Sequence, residues 1–590
     1  MKDAKTLTLP LMRRLLRLMR VRVWIAEKLQ PTEWQATLLW ASLAGFLGAL
    51  AGLAFKLATE GIHQMLTGSS EGVVESFRLM PWWARLLVPA AGGVMAGLVL
   101  LFGQRLTKMQ SSTDYMEAIV IGSGHVPLRA SLVKSAAALF SIGSGGSIGR
   151  EGPMVQLAAM LASLIGRWRR FSPPQLRLLV ACGAAAGLAS AYHAPLAGAF
   201  FVAEIILGTI AMESLGPLVA ASVTATLTIK ILSNAHALYD VPRFTLNSPW
   251  EMGPYILLGL IMGTLAPWFL RSLRRAETLF VSIRLPLVAR LGFGGLLVGA
   301  LATSVPEVAG NGYSVVLEIL NGRIIWDALL LVLVFKWLAT VASFGSGAPG
   351  GVFTPSLFMG ASAGYLFGTA VHTLWPMGAV DPRAFALVGM GAFLSAASRA
   401  PVMAVIMLFE MTLSYDIILP LLLCSVLAYY TAKGIEGESL YSESLKRKAA
   451  EEGMPELPVG RVGDLMKPDP PVVGIGAHFA EIAQTFLSVR VNNLYVIDGE
   501  RHFVGVVSLH DIKPYLGEPE LAELVLARDI MHEDFPRLGP DSSLSEALEA
   551  FLGITAERLP VVTADDGLVG SLAKSDLLLA LVEKRKKAAA

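Results

Sequence analysis

SIGSGGSIGREGPMVQLAAMLASLIG (residues 141–166) and SFGSGAPGGVFTPSLFMGASAGYLFG (residues 343–368) lie 202 positions apart and align without a gap. Ser, Gly-Ser-Gly, a later Gly, Pro, and then Ala, Leu and Gly coincide. The same offset pairs Lys134 with Lys336, just upstream of each glycine cluster. Further on, HAPLAGAFFVAE (193–204) is echoed by RAPVMAVIMLFE (399–410), now 206 positions apart, which pairs Glu204 with Glu410. Features recurring in one order divide this region into two homologous halves, residues 36–235 and 236–445. Broken apolar segments at matching places in two halves point to a transport site where the halves meet.

The surrounding composition agrees. The 590 residues are 54% hydrophobic and only 16% charged, against roughly 25% charged in a soluble domain. Charge gathers in the first 35 residues and after about residue 440. Between lie apolar runs at 37–55, 86–103, 178–203, 214–229, 252–270, 384–398 and 417–432. Several reach the roughly 20 residues that span a bilayer as a helix, and the others stop short. The short, Gly/Pro-interrupted runs predict helices that end inside the membrane. Soluble helices this long would show a charged face. The overall expectation is an all-α polytopic membrane protein followed by a small α/β domain.

The segment MKDAKTLTLPLMRRLLRLMRVRVW sets Arg13, Arg14, Arg17, Arg20 and Arg22 among Leu and Met. Residues 1–35 therefore predict a basic amphipathic helix on the cytoplasmic face, with no small-residue cleavage site after it. Lys446, Arg447 and Lys448 follow the last apolar run. Positive charge at both ends places both termini in the cytoplasm and predicts an even number of crossings of the lipid bilayer. The net charge of +2 gives no sign of nucleic acid as a partner. Cys182 and Cys424, the only cysteines, sit in apolar runs, which speaks against a disulfide framework or a cysteine metal site. No His, Asp or Cys stands at metal-ligand spacing from His193 in the sequence, so no metal is expected.

After a charged linker (446–460) a second repeat begins. DLMKPDPPVV (464–473) is answered by DIMHEDFPRL (529–538), and LYVIDGERHFVGVVSLHDI (494–512) by LPVVTADDGLVGSLAKSDL (559–577). Each copy, 461–520 and 521–590, reads as a short strand, a helix, a hairpin of β-branched residues and a helix.

Glycine explains what the first repeat is for. In GSGGSIGREGP the glycines do not suit a helix interior, where each costs about 1 kcal/mol relative to Ala. Pro153 suits the first turn of the helix that follows. A helix N-terminus carries about half a positive charge and several free N–H donors, so its expected guest is an anion. Two such starts facing each other form an anion site with no full cation, which suits rapid passage better than a Lys or Arg would. Glu151 sits among these donors. Ionised, it mimics the anion and plugs the site; protonated, it loses its charge-assisted bonds and swings away. A plain helix-capping carboxylate would use the same hydrogen bonds. Arg150 is expected to anchor the loop, and the paired Lys134 and Lys336 to bias the pathway toward anions.

GREGP (149–153), GGVFTP (350–355), APLAG (194–198) and LYS (440–442) together resemble the CLC chloride channels and proton–chloride exchangers. TDYMEA (113–118) and ACGAAAGLASAY (181–192) resemble the bacterial ClcB-type subgroup. The tandem C-terminal pattern resembles a pair of CBS modules. The likeness implies two inverted halves, a homodimer with one pore per subunit, and chloride as the transported ion with no cofactor required. It implies an anion site formed by Ser112 or Ser111, Gly149, the amides of Val352 and Phe353, and the Tyr441 hydroxyl, with Glu151 as the gate. Where the family has Gly-Ser-Gly-x-Pro, this chain has SSTDY (111–115), which leaves Ser111 and Ser112 both open.

One departure bears on mechanism. Proton-coupled members usually carry an internal glutamate one position after the residue matching Glu204, although some exchangers also lack this acid, and here that position is Ile205. The expected function is therefore a chloride channel of a bacterial inner membrane. A proton–chloride exchanger is the near alternative, and a CBS-bearing magnesium-type cation transporter the alternative from another class. The latter needs clustered intramembrane acids, and an enzyme would need nucleophile–base or metal-ligand spacing; neither pattern is present. Glu204 and Glu410 are expected to serve a helix end or a subunit interface. CBS pairs that bind adenine nucleotides use a Ser/Thr with an Asp three residues later. Ser508 and Asp511 fit; in the second module Asp576 is present but Ala573 replaces the hydroxyl. A purely structural CBS pair is the other reading.

Overall fold

The computed structural model describes residues 33–107, 114–120, 122–233, 249–375, 381–436, 460–489, 491–509, 524–552 and 556–577, with isolated positions 239, 244, 511, 512 and 515. Most of the expected amphipathic N-terminal helix and nearly all of the linker lie outside them. The chain divides into two compact units, 1–445 and 446–590.

In the first unit the sequence repeat becomes a repeat of helices. The first half holds α1 (Glu33–Thr67), α2 (Val73–Leu79), α3 (Trp82–Thr107), α4 (Tyr115–Val120), α5 (Leu128–Gly143), α6 (Glu151–Trp168), α7 (Pro173–Tyr192), α8 (Pro195–Phe200) and α9 (Met212–Ser233). The second holds α10 (Met252–Ser282), α11 (Leu287–Ser304), α12 (Tyr313–Leu320), α13 (Trp326–Gly345), α14 (Phe353–Leu374), α15 (Pro382–Ser398), α16 (Pro401–Thr412) and α17 (Ile418–Ile435). Apart from α2, each helix of the first half has a counterpart in the second. The breaks match as well. His193 (φ 57°) and Arg399 (φ 61°) are left-handed residues that end α7 and α15. A proline then opens α8 and α16, where a missing N–H costs nothing.

Eight helices among the described residues are long and apolar enough to cross a membrane: α1, α3, α7, α9, α10, α11, α13 and α17. Their outward faces keep large apolar side chains exposed, such as Leu39, Phe46 and Leu57 on α1, Leu330, Leu331 and Val334 on α13, and Leu419 and Leu422 on α17. Patches of this kind belong in lipid. Exposed Trp34, Trp82, Trp168 and Trp326 stand at helix ends, as interfacial tryptophans do. Inside, small residues bring helices together. A Cβ on Gly360 of α14 would strike the Gly389 carbonyl of α15, and one on Gly183 or Gly187 of α7 would press into α6. Close backbone approach replaces the hydrophobic drive that lipid does not provide between helices. The unit is a polytopic, two-half membrane domain.

The second unit carries α18 (Val462–Leu465), β1 (Lys467–Pro468), β2 (Val472–Gly474), α19 (Phe479–Ser488), β3 (Asn493–Ile497) and β4 (Phe503–Ser508), then α20 (Ala527–Ile530), α21 (Leu544–Leu552), β5 (Arg558–Val562) and β6 (Leu568–Ala573). Its sheets run β1-β6-β5 and β2-β3-β4. The opening strand of the first module thus pairs with the second module's hairpin. In return, His532 bridges back to Val506 in β4. Glycine permits both crossings: a Cβ on Gly505 would lie 2.9 Å from the His532 carbonyl oxygen, and one on Gly570 2.9 Å from that of Lys467. Alternating residues of each hairpin fill a small core, Leu494, Val496 and Val507 in one module and Leu559, Val561 and Leu572 in the other.

Candidate functional site

Both glycine clusters turn the chain by the same device. Past the end of α5, Gly145 takes φ 93°, and past the end of α13, Gly347 takes φ 86°. A left-handed residue there costs glycine nothing and any other residue dearly. Each loop then feeds the N-terminus of α6 or α14. The loops are stitched to each other at equivalent positions: the Gly149 amide donates to the Gly351 carbonyl at 2.6 Å, and the Gly351 amide to the Gly149 carbonyl at 2.8 Å. The Ser147 amide donates to Ser343 Oγ at 3.1 Å, and Ser147 Oγ lies 3.0 Å from Thr340 Oγ1. Equivalent residues bonding reciprocally is the signature of a two-fold relation between the halves.

Glu151 opens α6 and is 5% exposed. Its Oε1 accepts a hydrogen bond from the Tyr192 hydroxyl at 2.5 Å and one from the Thr354 amide at 3.2 Å. Thr354 Oγ1 lies 2.8 Å from the same phenol oxygen. Oε2 has no hydrogen-bond partner among the described residues and lies against Gly149 and Gly351. Rings close the other side, Phe353 with its centroid 5.4 Å from that of Tyr192 and 6.4 Å from that of Phe201. Thr354 lies in the first turn of α14, where amides have no acceptor within their own helix. A carboxylate carried by one helix N-terminus therefore rests on the N-terminus of the other. Negative charge is favoured at that place.

Other residues singled out in the sequence take the following places. Val352 caps α14 and Phe353 begins it, with Phe353 buried at the rim of the carboxylate's niche. Ser111, Ser112 and Tyr441 lie outside the described residues. Gly149 requires a correction. Its amide is committed to Gly351 and is not offered to an anion; it serves by lacking a Cβ, which would collide with Glu151 Oε2. Lys336 requires another. It is fully buried, and its ammonium donates to the Val308 carbonyl at 2.8 Å and the Gly310 carbonyl at 2.5 Å. The Gly310 amide in turn donates to Gly145, so Lys336 is a strut behind the first glycine loop. Arg150 is half-buried and precedes α6; backbone and hydroxyl contacts hold the loop. Ile205 lies in a π-helical turn (Phe201–Ile206) after α8 and packs on the core.

Two residues of the niche, Tyr192 and Thr354, lie inside the segments ACGAAAGLASAY and GGVFTP but are not among the site residues expected from the sequence. The repeat contains a hint. Tyr192 immediately precedes the HAPLAG segment, and its counterpart before RAPVMA is Ser398, which bonds back to Leu394 of its own helix.

In the second unit, Ser508 and Asp511 meet. Asp511 Oδ2 accepts from the Ser508 amide at 2.8 Å and from Ser508 Oγ at 2.7 Å, with His532 Nε2 at 3.2 Å. Partial burial pushes the Asp511 carboxyl up, but Ser508 and His532 outweigh it and hold it below the ordinary range. Asp576 lies 3.5 Å from Lys467.

Comparison with known proteins agrees with this architecture. The family model for the voltage gated chloride channel matches residues 92–433, and the CBS domain model matches 462–518 and 527–583. A ClcB-like chloride channel protein of Ralstonia nicotianae is 50% identical over 411 residues, which cover 69% of this chain and 96% of the relative. The voltage-gated ClC-type chloride channel ClcB of Escherichia coli is 38% identical over 69% of this chain and 98% of its own. Among solved structures, a slow cyanobacterial Cl−/H+ antiporter matches with a TM-score of 0.62 and 27% identity, over 70% of this chain and 98% of its own. A eukaryotic CLC transporter, 20% identical, shares the fold over 92% of this chain and 97% of its own, with a TM-score of 0.60. Two glycine loops, a carboxylate between two helix starts and a CBS pair thus come together in a chain that belongs to the voltage gated chloride channel (CLC) family of chloride channels and transporters.

Proposed function

We propose that this protein passes chloride across a bacterial inner membrane as a channel, with Glu151 as its gate and both termini in the cytoplasm. What carries the reading is the hydrogen bond from the Thr354 amide to Glu151 Oε1, which puts a carboxylate where a permeating anion would gain most from α14. The bonds to an ionised carboxylate are worth about 1.5–3 kcal/mol each. Oε1 takes the two bonds described and Oε2 takes none, which leaves the second oxygen open to a proton. Protonation weakens the hold on Oε1, and the side chain yields the niche to chloride. The Val352 and Phe353 amides are then donors for the ion, with Tyr441 and Ser112 or Ser111 completing its path. The test is chloride efflux from liposomes at several pH values, wild type against Glu151→Ala. Loss of the pH dependence supports the gate; pH dependence that survives unchanged ends it.

Ile205 supports a channel over an exchanger, since an apolar side chain packed on the core relays no proton. Glu204, next to it, is bonded to the amides of Val402 and Met403. The exchanger reading draws on the likeness to the cyanobacterial antiporter. A reversal potential that moves with a pH gradient at fixed chloride would favour exchange; one that follows chloride alone favours the channel. We assign a homodimer and an adenine-nucleotide site at Ser508, Asp511 and Asp576 to the same reading. Calorimetric titration of ATP or AMP into the full-length protein and its Asp511→Ala variant tests the nucleotide site.

A further inference from the structure

Tyr192 stands where α7 ends. The left-handed His193 stops the helix there, and the phenol meets the N-terminal residues of α6 and α14, Glu151 and Thr354. Its ring is 5% exposed and packs on Phe353. Its oxygen is 2.5 Å from Glu151 Oε1 and 2.8 Å from Thr354 Oγ1. A phenol has one proton to give, and an ionised carboxylate can only accept. The proton therefore points at Glu151, and Thr354 donates to the phenol oxygen. The other ionisable groups that act on this carboxylate are Arg150 on its own loop and the buried Tyr239, on which Tyr313 stacks with ring centroids 5.2 Å apart.

When the carboxylate leaves, the Thr354 amide loses its acceptor and the Tyr192 hydroxyl keeps only the neutral Thr354 Oγ1, 2.8 Å away. Both donors are buried, and giving up a charged acceptor there is costly. An anion entering the niche satisfies both. The second half has no such device, because Ser398 at the matching position bonds its own helix. Like Glu151, the phenol is a feature of one half only.

We infer that Tyr192 is the shared donor of the pathway, holding ionised Glu151 in the niche and passing its hydrogen bond to the anion once the carboxylate leaves. This rests on Glu151 being the gate. It makes Tyr192 a positioning residue for the gate in the closed state and an anion ligand in the open one.

The experiment uses full-length protein in liposomes and four forms: wild type, Tyr192→Phe, Glu151→Ala and the double variant. Tyr192→Phe keeps the ring and its packing, and its gel-filtration profile checks the fold. Without the hydroxyl the ionised carboxylate is held less tightly. The pH of half-maximal efflux is expected to rise by about one unit, a tenfold change in the proton concentration needed. In the Glu151→Ala background, where no carboxylate competes, adding Tyr192→Phe is expected to raise the chloride concentration for half-maximal flux at least threefold. An unmoved pH midpoint, or an unmoved chloride requirement in that background, overturns the inference. The gate reading fails separately, if Glu151→Ala alone retains the wild-type pH dependence.

Discussion

Glu204 and Glu410 cap each other's helices. Glu410, in the last turn of α16, accepts the Leu196 and Ala197 amides at 2.9 and 2.8 Å, in the first turn of α8. Glu204, just after α8, accepts the Val402 and Met403 amides at 3.3 and 2.8 Å, in the first turn of α16. Pro195 and Pro401 have no N–H to satisfy, so each carboxylate meets the next two donors of its partner helix. Reciprocity of this kind ties the two halves together a second time, away from the glycine loops.

The first prediction follows from those caps. Glu410→Ala is expected to lower stability by about 0.5–2 kcal/mol, the usual loss on removing a helix cap, and Glu410→Gln by less, since an amide oxygen still accepts. Thermal unfolding in detergent measures both. The pH midpoint of chloride flux stays at the wild-type value, because neither carboxylate touches the niche of Glu151. Equal unfolding midpoints for Glu410→Ala and wild type would mean the caps are decorative.

A second prediction sets two glycines against each other. A Cβ on Gly149 collides with Glu151 Oε2, whereas one on Gly152 meets nothing nearer than 3.7 Å. Gly149→Ala is expected to expel the carboxylate from its niche and flatten the pH dependence of flux. Gly152→Ala leaves the pH profile as it is and gains up to about 1 kcal/mol of helix propensity at the start of α6. Efflux profiles of the two variants side by side decide it. Identical profiles would show that the niche is looser than the Gly149–Gly351 bridge implies.

The same pairs mark how far the amino-acid sequence alone reaches. The 202-residue offset locates both glycine loops, both helix starts and the lone acid between them. It does not tell a free amide from a committed one. Gly149 and Gly351 look alike in sequence whether their N–H groups face an ion or each other, because that depends on how the halves dock. Tyr192 escapes for a related reason: a tyrosine ending an apolar run reads as core, and its role depends on the starts of α6 and α14 being docked against the end of α7. Lys336 misleads in the opposite sense. Its pairing with Lys134 suggests a field along the pathway, while its ammonium donates to two backbone carbonyls of the segment between α11 and α12.

Lys336 accordingly yields a structural prediction. Lys336→Met keeps the length of the side chain and removes the donor to Val308 and Gly310. Unsatisfied buried acceptors cost about 1–3 kcal/mol each, so a clear fall in the thermal midpoint is expected. The Gly310 amide anchors Gly145, so flux falls as well while the pH midpoint stays in place. An ion-selectivity change without loss of stability would instead restore the electrostatic role that the repeat suggests.

The last prediction concerns pH in the CBS unit. Asp498 Oδ2 lies 3.0 Å from His502 Nδ1, and Asp498 Oδ1 accepts the His502 amide at 2.8 Å. The side-chain bond to Asp498 raises His502 above its ordinary value of 6.5. The His502 amide, and then its ring, hold Asp498 below the ordinary carboxylate range. The signs are opposite and define a window. A histidine raised on folding contributes stability that is complete below its unfolded value and fades as pH rises through the folded one. A carboxylate lowered on folding contributes stability that is complete above its unfolded value and fades as pH falls through the folded one. The pair is therefore strongest between the two unfolded values, in mildly acidic solution, and weakens on either side. Because both groups are at the surface, the effect is small and screened by salt. NMR titration of the His502 ring in the full-length protein should place its midpoint above that of a free histidine. Asp498→Asn should bring the midpoint back down, since the amide removes the charge while keeping an acceptor for the His502 amide. A midpoint that ignores Asp498→Asn would assign the shift to Glu500 and Asp566, the other acids acting on that ring.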